Sequence, residues 1–323
     1  MEVQQKVALR HLGHTDLQIS ALGLGCWQFG GNYWTKLKQK DIDEIVKICL
    51  SGGINWFDTA EVYGKGSSEM ALSESLFNIN VNEEDALIAT KWWPLFRRAN
   101  SIPKTIDQRI KALNGRRIDL YQVHQPFSFS SVRDQMKAMA ELIRINKIRY
   151  VGVSNFSAKK MADADDTLKK QGYFLASNQV KYSLLDRRIE TNGVLDTAKE
   201  RGITVIAYSP LEQGILSGKF HKNPEIIKNM TGPRKHSKLL KPAGLEKTKP
   251  LIDLLEKMAA KYEVSSSQIA LNWLIHFHGD TVVAIPGATK PHHAKENIGA
   301  LNFTLTQEDM DEINIVSKTI AKL

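Results

Sequence analysis

A rhythm, more than any motif, constrains what this chain can fold into. From Leu22 onward eight short apolar runs recur, seven of them about thirty residues apart, each followed by a stretch whose apolar residues fall at helical spacing. The runs occupy 21–25, 54–58, 85–91, 118–124, 148–155, 176–181, 203–209 and 281–285. Helices are expected at 35–50, 69–77, 102–114, 131–146, 158–170 and 193–201. After an insertion at 210–248 they resume at 249–262, 265–276 and 291–301, and Thr306-Gln307-Glu308-Asp309 opens a last one with a capping-box pattern. This alternation specifies an α/β fold, a (β/α)8 TIM barrel with extra C-terminal helices. Residues 7–20 read as an N-terminal β-hairpin turning at Gly13-His14-Thr15-Asp16, a plug or cover for the barrel.

The rival architecture is a doubly wound sheet, which for a dinucleotide fold would place GxGxxG directly between a strand and a helix. The glycines at 22–31 do not have that spacing. The 323 residues, 42% hydrophobic and 24% charged, suffice for one such barrel, and no internal duplication or Pro/Gly/Ser linker divides them, so 1–323 reads as a single domain. The net charge is 44 − 35 = +9 with the cations scattered, which favours a small anionic ligand or cofactor over nucleic acid. Two cysteines, Cys26 and Cys49, without a CxxC pair, argue against a disulfide framework or structural zinc. No window approaches a membrane span and the first residues carry no apolar signal core, so a cytoplasmic location is expected.

In a barrel every strand ends at one face, and four titratable groups fall there: Asp58 and Tyr63 after the second run, Lys91 at the third, His124 at the fourth. Lys91 ends the run Leu87-Ile88-Ala89-Thr90, where a buried ammonium needs a carboxylate, and Asp58 can supply it. A lysine held charged beside a phenol favours the phenolate, so Tyr63 is expected to be a proton donor with a lowered pKa.

Phe57-Asp58-Thr59-Ala60-Glu61-Val62-Tyr63, Ala89-Thr90-Lys91, Asp119-Leu120-Tyr121-Gln122-Val123-His124, Val151-Gly152-Val153-Ser154-Asn155-Phe156, Asn178-Gln179 and the segment from Ile285-Pro286-Gly287 through Glu296-Asn297 together resemble the aldo-keto reductases. The resemblance covers about 12–313. It implies a catalytic tetrad of Asp58, Tyr63, Lys91 and His124, with a nicotinamide cofactor extended across the barrel mouth. Ser154, Asn155 and Gln179 would hold its carboxamide, with Tyr208 stacked on the ring. Ser209, Leu211, Gly214, Ser217 and Lys219 lie in a segment that resembles the long-loop branch of the family, whose loop clasps the pyrophosphate. Cys26 and Trp27 would close the site from the first loop, and Asp58 would border the cofactor. Gly287, Thr289, Lys290, His293, Glu296 and Asn297 would seat the adenosine phosphate near a helix start.

Many members carry arginine where this chain has His293, a weaker and pH-dependent partner for the 2′-phosphate that distinguishes NADP from NAD. Lys290 and Arg234 are candidates to compensate, so NADP(H) is expected in preference to NAD(H). The implied reaction is reduction of a small carbonyl substrate, an aldehyde or ketone, to an alcohol, with no metal, no nucleic acid and no membrane involved. Trp27, Trp92, Trp93 and Phe127 follow strands that face the site and would make an apolar, aromatic substrate pocket. The β subunits of voltage-gated potassium channels resemble the same branch and serve cofactor-linked regulation of a partner. Their position matching His124 is not histidine, so a retained His124 favours turnover. A scaffold protein on the same fold would leave no sequence trace.

Overall fold

In the computed structural model, which describes residues 7–31, 37–230 and 233–321, eight parallel strands hydrogen-bond in chain order. They are β3 (Leu24–Gly25), β4 (Trp56–Asp58), β5 (Leu87–Trp92), β6 (Ile118–Val123), β7 (Ile148–Ser154), β8 (Leu175–Lys181), β9 (Thr204–Tyr208) and β10 (Val282–Ala284). The ring closes where Leu22 pairs with Ala284 and Gly25 with Gly287. Backbone N–H groups of Gly23 and Gly25 donate across this seam to the Ala284 and Pro286 carbonyls at 2.8 and 3.1 Å. A Cβ at residue 25 would stand 2.8 Å from the Ile285 carbonyl oxygen, so glycine is what lets the first strand approach the last. Every residue of β5 and β6 is buried, as expected for parallel strands covered on both faces.

Helices α1 (Gln39–Ser51), α2 (Ser67–Asn78), α3 (Ser101–Ala112), α4 (Val132–Arg144), α5 (Ala158–Lys169) and α6 (Val194–Arg201) link successive strands, and their buried faces join one large apolar cluster against the barrel. Of the helix expected at 35–50, positions 35–36 lie outside the described residues. The insertion after β9 folds into short 3-10 segments and α7 (Lys219–Lys222). Then come α8 (Pro242–Tyr262), α9 (Ser266–His276), α10 (Pro291–Gly299) and α11 (Gln307–Ile320).

Two expectations needed correction. The helix expected from 249 starts at Pro242, and Pro250 lies inside it; Pro250 and Glu246, whose carbonyl loses its donor, are both exposed, so water can take that bond. At α11 only half a capping box forms. Thr306 Oγ1 accepts from the Asp309 N–H at 3.2 Å, but the Asp309 carboxylate is occupied by Lys261 and the Tyr262 hydroxyl. The complete box is at α9, between Ser265 and Gln268.

The hairpin is β1 (Leu9–His11) paired antiparallel with β2 (Gln18–Ser20). Leu12, Leu17 and Ile19 pack with Trp56, Leu87, Ala89, Leu120, Ala176, Ile206, Val283 and Ile285 as a second cluster inside the barrel. The hairpin thus plugs the end opposite the strand C-termini.

Candidate active site

Side chains alternate along a regular strand, so on β4, β5 and β6 each residue two positions beyond a member of the interior cluster also points inward, whereas a register shift between β7 and β8 turns Gln179 inward instead of Asn178. Following this parity, Trp56 is succeeded by Asp58, Leu87 and Ala89 by Lys91, and Leu120 by Gln122 and then His124. The interior is apolar over the plug and polar at the mouth.

There the Lys91 ammonium, fully buried, donates to Asp58 Oδ1 at 2.5 Å and to the Thr59 carbonyl at 2.8 Å. Its third neighbour is Tyr63 Oη at 3.5 Å. Asp58 Oδ2 accepts from Gln179 Nε2 at 2.8 Å and Gln122 Nε2 at 3.1 Å. The pair is thus hydrogen-bonded on both partners, the condition under which buried charges are tolerated. Burial pulls the Lys91 pKa down, with the Asp58 contact working the other way.

The phenol departs from expectation. Burial first, then the negative charge of Asp58, push the Tyr63 pKa well above its usual value. Lysine's charge is matched by aspartate at 2.5 Å, so the pair offers the phenol no net positive field, and Tyr63 is fully protonated near neutral pH. The His124 pKa is held well below the usual imidazole range by burial and by Lys91, so the ring is neutral. It stands edge-on between Tyr63 and Trp93, with centroids 5.6 and 5.2 Å away. His124 Nδ1 is buried with no hydrogen-bond partner among the described residues.

These groups open into an elongated cavity of about 680 Å³. Near the tetrad it is bordered by Trp27, Asp58, Ser154, Asn155, Gln179 and Tyr208. A chain of polar contacts fixes this wall: Tyr208 Oη donates to Asn155 Oδ1 at 3.1 Å, Asn155 Nδ2 to Ser154 Oγ at 3.1 Å, and Ser154 Oγ to the Gln179 carbonyl at 2.8 Å. Farther out, Ser209, Leu211, Gly214, Ser217 and Lys219 face Gly287, Thr289, His293, Glu296 and Asn297. A Cβ at Gly214, whose φ is +88°, would lie 3.1 Å from Arg234 Nη2 and 3.5 Å from Lys219 Nζ. The glycine leaves space beneath two converging cations. Burial, Arg234 and Lys290 lower the Lys219 pKa, with Glu296 the opposing charge. His293 is lowered by burial and by His292 and Lys219, and its Nδ1 accepts from the Thr289 N–H at 3.3 Å.

Six expected site residues do not border this cavity, among them Lys91, which lies behind Asp58 and Tyr63. Cys26 is fully buried, its thiol directed to the Leu24 carbonyl. Trp92, next to inward-pointing Lys91, faces outward by parity; it is a core residue, bonded to Ser101 and covered by the Arg97 guanidinium, not a pocket wall. Phe127 is 62% exposed and lines a separate hollow of about 310 Å³ with Leu95, Phe96 and Phe129. Lys290 is exposed at the N-cap of α10, outside the wall. Trp93 lies behind the wall, edge-on to His124. Conversely, Gln28, Gln125, Gln213, Ser267 and His292 line the cavity without having been expected. The amide of Gln28 fills the space that a side chain at Gly287 would need, and Ser267 arrives from α9, which the strand-end logic does not assign to the mouth.

The aldo/keto reductase family model matches residues 21–318. An uncharacterised oxidoreductase of Mycobacterium tuberculosis is 34% identical over 303 residues, 92% of this chain and 88% of the relative. An aldo-keto reductase of Bacillus subtilis is 31% identical, with 96% and 94% covered. Among solved structures, a glycerol dehydrogenase of Gluconobacter oxydans matches with a TM-score of 0.83 at 26% identity, covering 98% of this chain and 96% of that one. A thermostable aldo-keto reductase in complex with the inhibitor epalrestat matches with a TM-score of 0.77 at 30% identity, covering 95% and 99%. Sequence agreement over nearly the whole length, on a barrel shared with solved members, makes this chain a member of the aldo/keto reductase family and an oxidoreductase.

Proposed function

We propose that the chain reduces aldehydes or ketones to alcohols with NADP(H), Tyr63 giving the proton. The observation that carries this reading is the protonated phenol beside both a neutral imidazole and a matched Lys91–Asp58 pair at the mouth of one long cavity. The residues present fit a nicotinamide dinucleotide. His124 Nδ1 is a buried polar atom still to be satisfied, and Lys219 and Arg234 converge over Gly214 where an anionic group would sit. When bound, the reduced nicotinamide supplies a hydride to the carbonyl carbon.

The protein's part is then proton and charge management. Ser154, Asn155 and Gln179 hold the carboxamide in one orientation. His124, neutral, donates an N–H to the carbonyl oxygen and polarises it without bringing a competing charge. Tyr63 passes its proton to that oxygen. Because its pKa is raised, transfer becomes favourable only as the oxygen gains alkoxide character, and the Lys91 ammonium, 3.5 Å away, is a hydrogen-bond donor to the oxygen left behind. Lys219, Arg234 and His293 favour the extra phosphate of NADP(H) over NAD(H). At the tetrad end the cavity wall includes Trp27, and the Trp93 ring stands edge-on to His124, which suits apolar carbonyls.

The test is oxidation of NADPH by purified protein over a panel of propanal, benzaldehyde and a methyl ketone, repeated with NADH. No turnover with any carbonyl would discard the reading; equal use of both cofactors would discard the NADP(H) preference alone.

A further inference from the structure

The loop that carries Tyr63 is joined to the end of β5 in an unusual way. Its backbone contact there is long, Glu61 N–H to the Lys91 carbonyl at 3.4 Å. The side chain of Glu61 does what the backbone does weakly: its Oε1 accepts from the Trp93 backbone N–H and from Arg97 Nη1, the latter at 2.6 Å. The carboxylate is only 10% exposed. Trp93 in turn stands edge-on to His124 on one side, as Tyr63 does on another. One carboxylate therefore connects the backbones of both rings that border the imidazole.

We infer that Glu61 is a positioning residue: by tying the Tyr63 loop to Trp93, it sets the wedge in which His124 sits. This rests on the roles proposed above for Tyr63 and His124. A purely structural role fits the contacts less well, because the neighbouring ties persist without Glu61. Arg109 has its close partner in Glu69, at 2.9 Å, against 3.7 Å to Glu61. Arg97 keeps Thr105 Oγ1 at 2.8 Å, Ser101 Oγ at 3.2 Å and the Trp93 carbonyl at 3.1 Å. What removal of Glu61 releases is the link between the loop and the Trp93 backbone, made directly to its N–H and through Arg97.

The test compares Glu61→Ala with Glu61→Gln, which keeps an acceptor for the Trp93 N–H but gives up the charge. In Glu61→Ala, kcat for an aldehyde should fall about tenfold, with KM and NADPH affinity within about twofold, the pattern of lost alignment. Glu61→Gln should recover most of that loss. A second readout needs neither cofactor nor substrate: NMR titration of the histidine ring protons, with the His124 signal identified by its loss in His124→Gln. In Glu61→Ala the His124 midpoint should rise toward the ordinary imidazole range as the wedge loosens and water enters. Should Glu61→Ala not fold, Arg97→Gln, on a side chain one-quarter exposed, loosens the same carboxylate and should move both readouts the same way. A lower melting temperature with kcat and the His124 titration unchanged would make Glu61 a simple stabilising ion pair and overturn the inference. Absence of any wild-type turnover would sink the proposed reaction, yet leave the titration to judge Glu61.

Discussion

The two ends of the cavity handle positive charge in opposite ways. At the barrel mouth, Lys91 is buried and matched one to one by Asp58, with Thr59, Gln122 and Gln179 completing the hydrogen bonds. At the outer end, burial and the charges of Arg234 and Lys290 pull the Lys219 pKa down, with Glu296 the opposing charge. The first arrangement is complete in itself and serves as structure as much as chemistry. The second brings the Lys219 and Arg234 side chains together over Gly214, at the outer wall of the cavity. Substitution should therefore affect stability at one end and ligand affinity at the other.

The largest effect is expected from Lys91→Met, which leaves Asp58 buried without its partner. It should cost about 3–5 kcal/mol of stability and abolish measurable turnover. Adding Asp58→Asn should restore much of the stability and none of the activity; denaturant midpoints and carbonyl reduction rates check both halves. A Lys91→Met protein as stable as wild type would break the comparison.

Tyr63→Phe separates chemistry from charge at the same end. It deletes one oxygen, the most distant of the Lys91 partners, and leaves the closer bonds to Asp58 and Thr59 in place, so turnover should fall about a hundredfold or more while NADPH affinity and melting temperature hardly move.

At the outer end the signs should differ. Lys219→Met should weaken NADPH about tenfold, the scale of one charge-assisted contact, and leave stability unchanged or slightly higher because mutual repulsion with Arg234 is relieved. Fluorescence titration with NADPH and NADH, beside thermal melts, reads this; loss of stability would mean that this end too is structurally matched.

The smallest effect concerns His293, whose pKa is lowered by burial and neighbouring positive charge. A base with a depressed folded-state pKa destabilises the fold as pH drops below its unfolded value of about 6.5, whereas a bound phosphate favours the protonated ring. NADPH affinity should therefore be flat above neutrality and rise modestly as pH falls below the ordinary imidazole range, with NADH unaffected. His293→Arg should tighten NADPH severalfold and remove that slope. A wild-type affinity that does not move with pH would take His293 out of the phosphate seat.

How much of this was legible in the sequence depends on whether a property is local. The eight strands could be read because buried parallel strands are continuous apolar runs, and Asp58, Lys91 and His124 could be read because each ends one. Trp92 was misassigned by ignoring the same parity that correctly turned Lys91 inward. The phenol's shift was misjudged because it depends on a distance, 2.5 Å between lysine and aspartate, that spacing in sequence cannot supply. Gln28 and Ser267 reach the cavity from a 3-10 turn and from a helix outside the strand–helix repeat, and Glu61's grip on Trp93 joins residues 32 apart.

The seam of the barrel carries one further consequence. β3 is two residues long, and the contacts that close the ring there run through Gly23, Gly25 and Ala284. Gly25 and Gly287, paired across this join, are also part of the cavity wall. Local opening of a sheet starts where its backbone bonding is thinnest, and here that place coincides with the binding surface. A dinucleotide spanning the mouth would therefore act as a clasp on the ring itself. Amide exchange at Gly23, Gly25 and Ala284 would slow on binding.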